Sequence, residues 1–199
     1  VTPITSLSDT LLNLHGDKDD DIRHGLEVIH STSKGLIAFV ESYRSFTRIP
    51  QPEFKLLYVK KIVDRLALLV AEHAREQDVR IDIDVETDEL MIQADENQIS
   101  QVILNLMKNA AAAIGQRPGG WIRIKAYCDR DENVIIEVAN NGDSIPPEVA
   151  EQIFVPFFTT KAEGSGIGLS ISRQIMRLSG GSLTLLPDNK ETKFILKFK

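Results

Sequence analysis

The sequence predicts an α+β fold: a two-layer α/β sandwich, with one mixed sheet covered by helices on one face, preceded by a helical hairpin. Three observations carry this expectation. The first 48 residues hold no strand pattern, and their apolar residues recur at helical spacing. The segment Ile49-Pro50-Gln51-Pro52-Glu53 then reads as a linker, because its two prolines hold it extended and prevent the preceding helix from running on. Beyond it, runs that alternate with period two stand on both sides of long 3.6-period stretches, the pattern of a mixed sheet with helices on one face.

In chain order, Ile4, Leu7, Leu11, Leu12 and Leu14 recur as on a helix, until Gly16 and the acids Asp17 to Asp21 break the period. Ile22, Leu26, Ile29, Leu36, Ile37, Val40 and Tyr43 form the stripe of a second helix. Two helices joined by so short a link pack antiparallel, and a two-helix hairpin has little core of its own. Its stripe therefore calls for a partner, with a second copy favoured over the hairpin's own domain. After the linker come a short strand at Phe54–Leu57 and a helix from Val59 to Gln77, with Ile62, Val63, Leu66, Leu69 and Val70 on one face. Val79 to Val85 alternates throughout as a half-buried strand, and Leu90–Ala94 reads as its hairpin partner. A long helix from Asp95 to Gln116 ends at Pro118-Gly119-Gly120. Trp121–Cys128 and Val134–Ala139 are strands about a polar turn. The stretch from Asn140 to Gly168 is poor in regular pattern. A helix from Ile167 to Ser179 stops at Gly180-Gly181, and Ser182–Leu186 and Lys193–Lys199 close the chain as strands.

Composition excludes several classes. With 199 residues, 42% hydrophobic and 26% charged, the chain is an ordinary globular one. A net charge of −6 argues against a sequence-independent grip on nucleic acid. No apolar run is long enough to span a bilayer, and no charged-then-apolar leader opens the chain. One cysteine, Cys128, and four scattered histidines offer neither an internal disulfide nor a zinc spacing. The expectation is a protein of the reducing, cytoplasmic compartment, with membrane contact only through regions outside this chain.

Four stretches carry chemistry. Ile99, Val102, Ile103, Leu106, Met107, Ala110 and Ala113 make the apolar stripe of the long helix, while Asn105 and Asn109 stand four apart on its flank. Asparagine is a poor residue for a helix interior, so the pair calls for a reason. It is either a pair of neutral oxygen ligands for Mg²⁺ bound to phosphates, or two exposed amides on a solvated face. Asn140, at a strand end ahead of Gly142, could offer its amide oxygen to an amino group and its NH₂ to a ring nitrogen; alone, the segment is a turn. Gly164-Ser165-Gly166-Ile167-Gly168-Leu169 opens a helix whose first N–H groups can hold an anion. It lacks a P-loop lysine and does not follow a strand. Upstream, Phe154-Val155-Pro156-Phe157-Phe158-Thr159-Thr160-Lys161 reads as a loop that covers the cleft, with Lys161 available to phosphate, or as a hydrophobic plug.

Taken together and in this order, these motifs and the closing Thr192-Lys193-Phe194 resemble the ATP-binding domain of sensor histidine kinases over residues 54–199, a fold of the Bergerat type. Asn105-Leu106-Met107-Lys108-Asn109-Ala110 resembles that family's asparagine box. The stretch Asn105 to Ala113 and the Phe-Phe-Thr-Thr-Lys box look most like the nitrogen-regulation type. The hairpin at 1–48 resembles the C-terminal part of the dimerisation and phosphotransfer helices. The resemblance implies ATP with Mg²⁺, Asn109 as the metal ligand and Asn105 as a neighbouring polar contact. It also places the nucleotide on Asn140, Gly142, Lys161, Gly164, Ser165, Gly166, Gly168, Leu169 and Thr192. ATP-hydrolysing relatives carry a glutamate base where Asn105 stands, and an asparagine cannot take a proton from water, so transfer to a protein acceptor is favoured.

The implied reaction moves the γ-phosphate to a histidine and then to an aspartate on the receiver domain of a response regulator, with a homodimer formed through the hairpin. Val1-Thr2-Pro3-Ile4 resembles the tail of the segment that holds the family's phosphorylated histidine, which would then lie just before Val1. His15, His24, His30 and His73 match no such motif, so the chain reads as a fragment that binds nucleotide without labelling itself. The family commonly has aspartate at the position of Asn140 and glycine at that of Ser144. Losing the charge costs about 1 kcal/mol, so adenine binding is expected to be kept and about tenfold weaker. Other branches place a lysine and an aromatic where Ala112 and Ala113 stand, leaving Lys161 to compensate. The alternatives are a nucleotide-independent pseudokinase that serves as a dimerising scaffold, and a protein-serine kinase of the anti-sigma type.

Overall fold

A computed structural model of the chain describes residues 4, 6–8, 10–11, 20–47, 49–76, 78–161, 164–186 and 191–199. It divides into two compact units, Val1–Arg48 and Ile49–Lys199.

In the first unit, residues 4, 6–8, 10 and 11 are helical, and α1 spans Asp20–Thr47. The link expected between the two helices, around Gly16 to Asp19, lies outside the described residues. Along α1, Val28, Ile29, Leu36 and Val40 are between 43% and 50% exposed.

The second unit runs β1 (Lys55–Tyr58), α2 (Val59–Glu76), β2 (Val79–Val85), β3 (Met91–Ala94), α3 (Glu96–Ile114), β4 (Gly120–Cys128), β5 (Val134–Asn140), α4 (Pro147–Ala150), a 3₁₀ turn (Gln152–Phe154), α5 (Gly168–Leu178), β6 (Ser182–Leu186) and β7 (Thr192–Phe198). Five strands form one mixed sheet in the order β2-β4-β5-β7-β6, in which only β2 and β4 run parallel. β4 shows why one face is covered: Ile122, Ile124 and Ala126 are fully buried, while Trp121, Arg123, Lys125 and Tyr127 point the other way. On that outer face Arg123 stacks over Trp121 and Lys125 over Tyr127.

The buried face meets α3 and α5. Ile99, Ile103, Leu106 and Met107 of α3, with Ile175 and Met176 of α5, are at most 1% exposed and form the core with Ile136 and Leu196. Truncating one of these large side chains to alanine costs about 2–5 kcal/mol. α3 is capped by Asp95, whose side chain accepts from the Gln98 N–H, and it ends at Gly115, where φ is +60°.

One expected pairing is wrong. The strand at Leu90–Ala94 is not the hairpin partner of β2. β3 pairs with β1 instead, Lys55 opposite Ala94 and Tyr58 opposite Met91, in a separate two-stranded ladder. β2 lies at the sheet edge beside β4, and the Glu86 N–H still donates to the Ala126 carbonyl past its end. The tight turn Thr87–Leu90 then redirects the chain, and the Leu90 carbonyl accepts from the Val59 N–H at 2.9 Å. Alternation reports which face is buried and says nothing about which strand lies alongside. The stretch after Asn140 also holds more structure than expected, with Pro147 at the first position of α4 and the 3₁₀ turn after it.

Candidate functional site

α3 and α5 lie side by side on the sheet, and the chain between β5 and α5 closes the space beyond their ends. The result is a cavity of about 650 Å³, within the usual range for a small-molecule site. Asn105 and Asn109 face it from α3, Asn140 from the end of β5, and Thr192 and Phe194 from β7. Lys161, Gly164, Ser165, Gly166, Gly168 and Leu169 complete the wall. Every residue expected to bind nucleotide lines this cavity except Gly142. That glycine packs on α3 instead: a Cβ there would stand 2.5 Å from the Ala113 carbonyl carbon.

At one end Asn140 is 3% exposed and its Nδ2 has no hydrogen-bond partner among the described residues. A buried amide donor with nothing to bond is costly, so this group awaits a ligand acceptor. The loop after it is strapped down. Asn141 Oδ1 accepts from the Trp121 N–H at 2.8 Å, and its Nδ2 donates to the Gly119 carbonyl at 3.0 Å. The Asp143 N–H donates to the Ala113 carbonyl at 3.0 Å. Arg117 donates to the Asn141 carbonyl at 2.9 Å and to the Asp143 carboxylate at 2.6 Å. Thr192 Oγ1 reaches the Asp143 carbonyl at 3.4 Å.

The other end is the start of α5. No side chain caps this helix, so its first N–H groups are open to an anion. Gly166 has φ +67°, and a Cβ would stand 2.5 Å from the Phe157 carbonyl carbon; Gly168 would place one against Asn105 Oδ1. Glycine is thus required by close approach at both positions. The Phe157 N–H donates to the Gly166 carbonyl at 2.9 Å, which ties the aromatic loop to the glycine turn. Phe154 anchors that loop, edge-on to Phe194 at 6.4 Å and beneath the Arg173 guanidinium. Lys161 is an exposed residue, yet desolvation of its ammonium lowers its pKa from the ordinary 10.5.

Between the ends, Asn105 Nδ2 donates to Ser172 Oγ at 3.0 Å. Asn109, one turn along, lines the cavity and has no side-chain hydrogen bond among the described residues. Sequence reasoning missed Ser172, Arg117, Asn141 and Asp143. Their partners lie roughly 20 or more positions away, and only the Asn-Gly pair at 141–142 signals a tight turn there.

This geometry can be set beside known proteins. Residues 94–199 match the family described as histidine kinase-, DNA gyrase B- and HSP90-like ATPase. The chain belongs to this ATPase family. It is 37% identical over 115 residues to the sensor histidine kinase ZraS of Salmonella typhimurium, covering 58% of this chain and 24% of that protein. It spans 15% to 30% of the length of such curated relatives. The catalytic domain of the histidine kinase ThkA superposes with a TM-score of 0.68 at 33% identity, over 73% of this chain and 95% of that one. ThkA in complex with the response regulator protein TrrA gives a TM-score of 0.73 at 26% identity, over 98% of this chain and 56% of that one.

ATP is the ligand of an ATPase family, and the cavity fits it on three counts. It has the volume, one end offers the buried, unpartnered donor of Asn140, and the uncapped α5 start with bare Gly166 and Gly168 suits a triphosphate.

Proposed function

We propose that the chain acts within a sensor histidine kinase of the two-component type. ATP bound with Mg²⁺ gives its γ-phosphate to a histidine that is not one of the chain's own four, for relay to an aspartate on a response-regulator receiver domain. The observation that carries this reading is the polarity of one cavity: a buried unpartnered amide at one end, an uncapped helix start at the other, and Asn109 between.

The roles follow from the groups. Asn140 would read the base edge, with Thr192 beside it, while the α5 N–H groups at Gly168 and Leu169, with Lys161, would hold phosphate oxygens. Asn109 Oδ1 is a neutral hard donor suited to Mg²⁺, which when bound neutralises phosphate charge. Asn105 is held by Ser172 and has no basic lone pair to activate water. The sole acid among the described residues lining the cavity is Asp143, at the base end and 2.6 Å from Arg117. With no carboxylate among the described residues at the phosphate end, transfer to a protein nucleophile is favoured over hydrolysis.

Partners enter on the same footing. The complex of ThkA with TrrA supports a receiver domain as the downstream partner. The apolar stripe of α1, with Val28, Ile29, Leu36 and Val40 about half exposed, supports a homodimer through residues 1–48. These residues form the C-terminal part of a dimerisation and phosphotransfer hairpin, 49–53 a linker, and 54–199 the ATP-binding domain. The Asn105 to Ala113 stretch and the Phe157 to Lys161 box support the nitrogen-regulation type. No helix among the described residues is long and apolar enough to cross a membrane; a cytoplasmic site of action is part of the proposal, with membrane contact only outside this chain.

The test is calorimetric titration of ATP with and without Mg²⁺, for the wild type and Asn109→Ala. Micromolar binding that needs Mg²⁺ and fails in the variant is the expected result. No binding to the wild type at millimolar ATP would overturn the reading.

A further inference from the structure

Asn140 is fixed on both sides by the sheet, opposite Ile122 of β4 and Thr192 of β7. Its backbone cannot shift, so the freedom left to its amide is the broad two-fold torsion at its end. Two neighbouring polar groups are already engaged: Thr192 Oγ1 reaches the Asp143 carbonyl, and the Asp143 carboxylate takes Arg117 at 2.6 Å. Ala113, Ile145 and Phe194 on the nearby wall offer no side-chain polar atom. Asn140 is the buried side chain here that offers a donor without a partner and an acceptor side by side, the pairing a base edge requires.

An amide differs in kind from a carboxylate at this job. A carboxylate has lone pairs alone, so on either purine edge it can pair with one donor and must face a lone pair at the neighbouring position. An amide carries one acceptor and one donor, and a half-turn exchanges them. Purines present two complementary edges: a 6-amino donor beside a bare N1, or a 6-oxo acceptor beside N1–H. One orientation of Asn140 matches the first edge, with Oδ1 accepting from the amino group and Nδ2 donating to N1. The flipped orientation matches the second, with Nδ2 donating to O6 and Oδ1 accepting from N1–H. Both orientations satisfy the buried donor.

We infer that Asn140 makes this cavity indifferent to the 6-amino and 6-oxo forms of a purine triphosphate, so that inosine triphosphate is a ligand alongside ATP. The inference rests on the nucleotide-binding reading above. Inosine is the informative probe because it differs from adenosine at this edge alone.

The experiment titrates the 199-residue chain with Mg–ATP and, separately, with Mg–ITP, for the wild type and Asn140→Ala. In the wild type the two dissociation constants should agree within about threefold. In Asn140→Ala both affinities should fall about tenfold or more, because the group that reads the edge is gone. A wild-type chain that binds ATP but prefers it over ITP by more than about tenfold would overturn the inference and leave the kinase reading standing. Unchanged affinities in the variant would also overturn it, because another group would then be reading the edge. Binding of neither nucleotide to the wild type would overturn both readings. Should the variant fail to fold, the wild-type ratio alone decides.

Discussion

Asn105 donates its Nδ2 hydrogen to Ser172 Oγ at 3.0 Å, and Ser172 in turn donates to the Gly168 carbonyl at 2.9 Å. This relay joins the middle of α3 to the first turn of α5, so it sets how far the wall bearing Asn109 stands from the glycine turn. Ser172 is 1% exposed, and removing its hydroxyl leaves the Asn105 donor without its partner. Ser172→Ala should therefore cost about 1–3 kcal/mol in urea denaturation. It should also weaken ATP binding, because the two walls are no longer tied. A variant with wild-type midpoint and wild-type affinity would show that the relay holds nothing in place.

Gly166 is the second point at which the cavity depends on backbone geometry. Its φ of +67° is left-handed, and a Cβ would meet the Phe157 carbonyl carbon at 2.5 Å and the Phe158 carbonyl oxygen at 2.7 Å. Gly166→Ala adds about 1–2 kcal/mol of left-handed strain, and also pushes the aromatic loop off the turn. The expected result is a loss of ATP affinity of about tenfold or more. Gly180 is the control: its φ is +72°, but nothing lies within 4 Å of its Cβ position. Gly180→Ala should show the strain in thermal unfolding and leave ATP affinity unchanged. Equal losses of affinity in both variants would mean that the clash at Gly166 is irrelevant to binding.

The elements most legible in the sequence are those whose pattern is local. The α3 stripe and its flanking asparagines follow from a 3.6-residue period, and β4 and β5 from period two. What stayed hidden was relational. Met91–Ala94 alternates like any strand, and nothing local says that it crosses to Lys55–Tyr58 rather than folding back on Val79–Val85. α4 and the 3₁₀ turn are too short to show a period, though Pro147 followed by Glu148 is a helix-start signal in hindsight. The cavity residues were visible as types in order, since two helix asparagines, a strand-end asparagine and alternating glycines are each unusual where they stand. Their supports were not visible. Ser172 on α5 looks like an ordinary helical serine until α3 lies beside it. Arg117 looks like the last charge of a helix until Asn141 and Asp143 fold back onto it.

Asp95 joins the linker to α3. Its carboxylate accepts from the Gln98 N–H at 3.0 Å and from the Glu53 N–H at 2.9 Å. Those bonds hold its pKa below the ordinary 3.8, with the Glu53 N–H the largest cause. A carboxyl whose folded pKa is depressed adds stability fully above its unfolded value, and loses it as pH falls through the folded one. Asp95→Ala should cost about 0.5–2 kcal/mol at pH 7. Asp95→Asn keeps a capping oxygen but no charge, so its deficit at pH 7 should shrink as pH falls below 3.8. Urea titrations at neutral and acid pH check this; a deficit independent of pH would show that the charge contributes nothing to the cap.

Lys161 gives a pH signature to binding itself. Desolvation lowers its pKa from the ordinary 10.5 in the free chain, while a phosphate beside it would raise it again. Below the free-chain value the ammonium is charged in both states, and ATP affinity should be flat. As pH rises above that value, binding must take up a proton, so affinity should fall until the higher value in the complex is passed. Lys161→Met should lose about ten- to a hundredfold in affinity at neutral pH, the worth of one hydrogen bond to a charged group, and with it the alkaline fall. Lys161→Arg stays charged throughout, so its affinity should be flat across the same range. Titrations at intervals from pH 7 upward separate the three chains; an alkaline fall that persists in Lys161→Arg would assign the proton to another group and remove Lys161 from the phosphate end of the cavity.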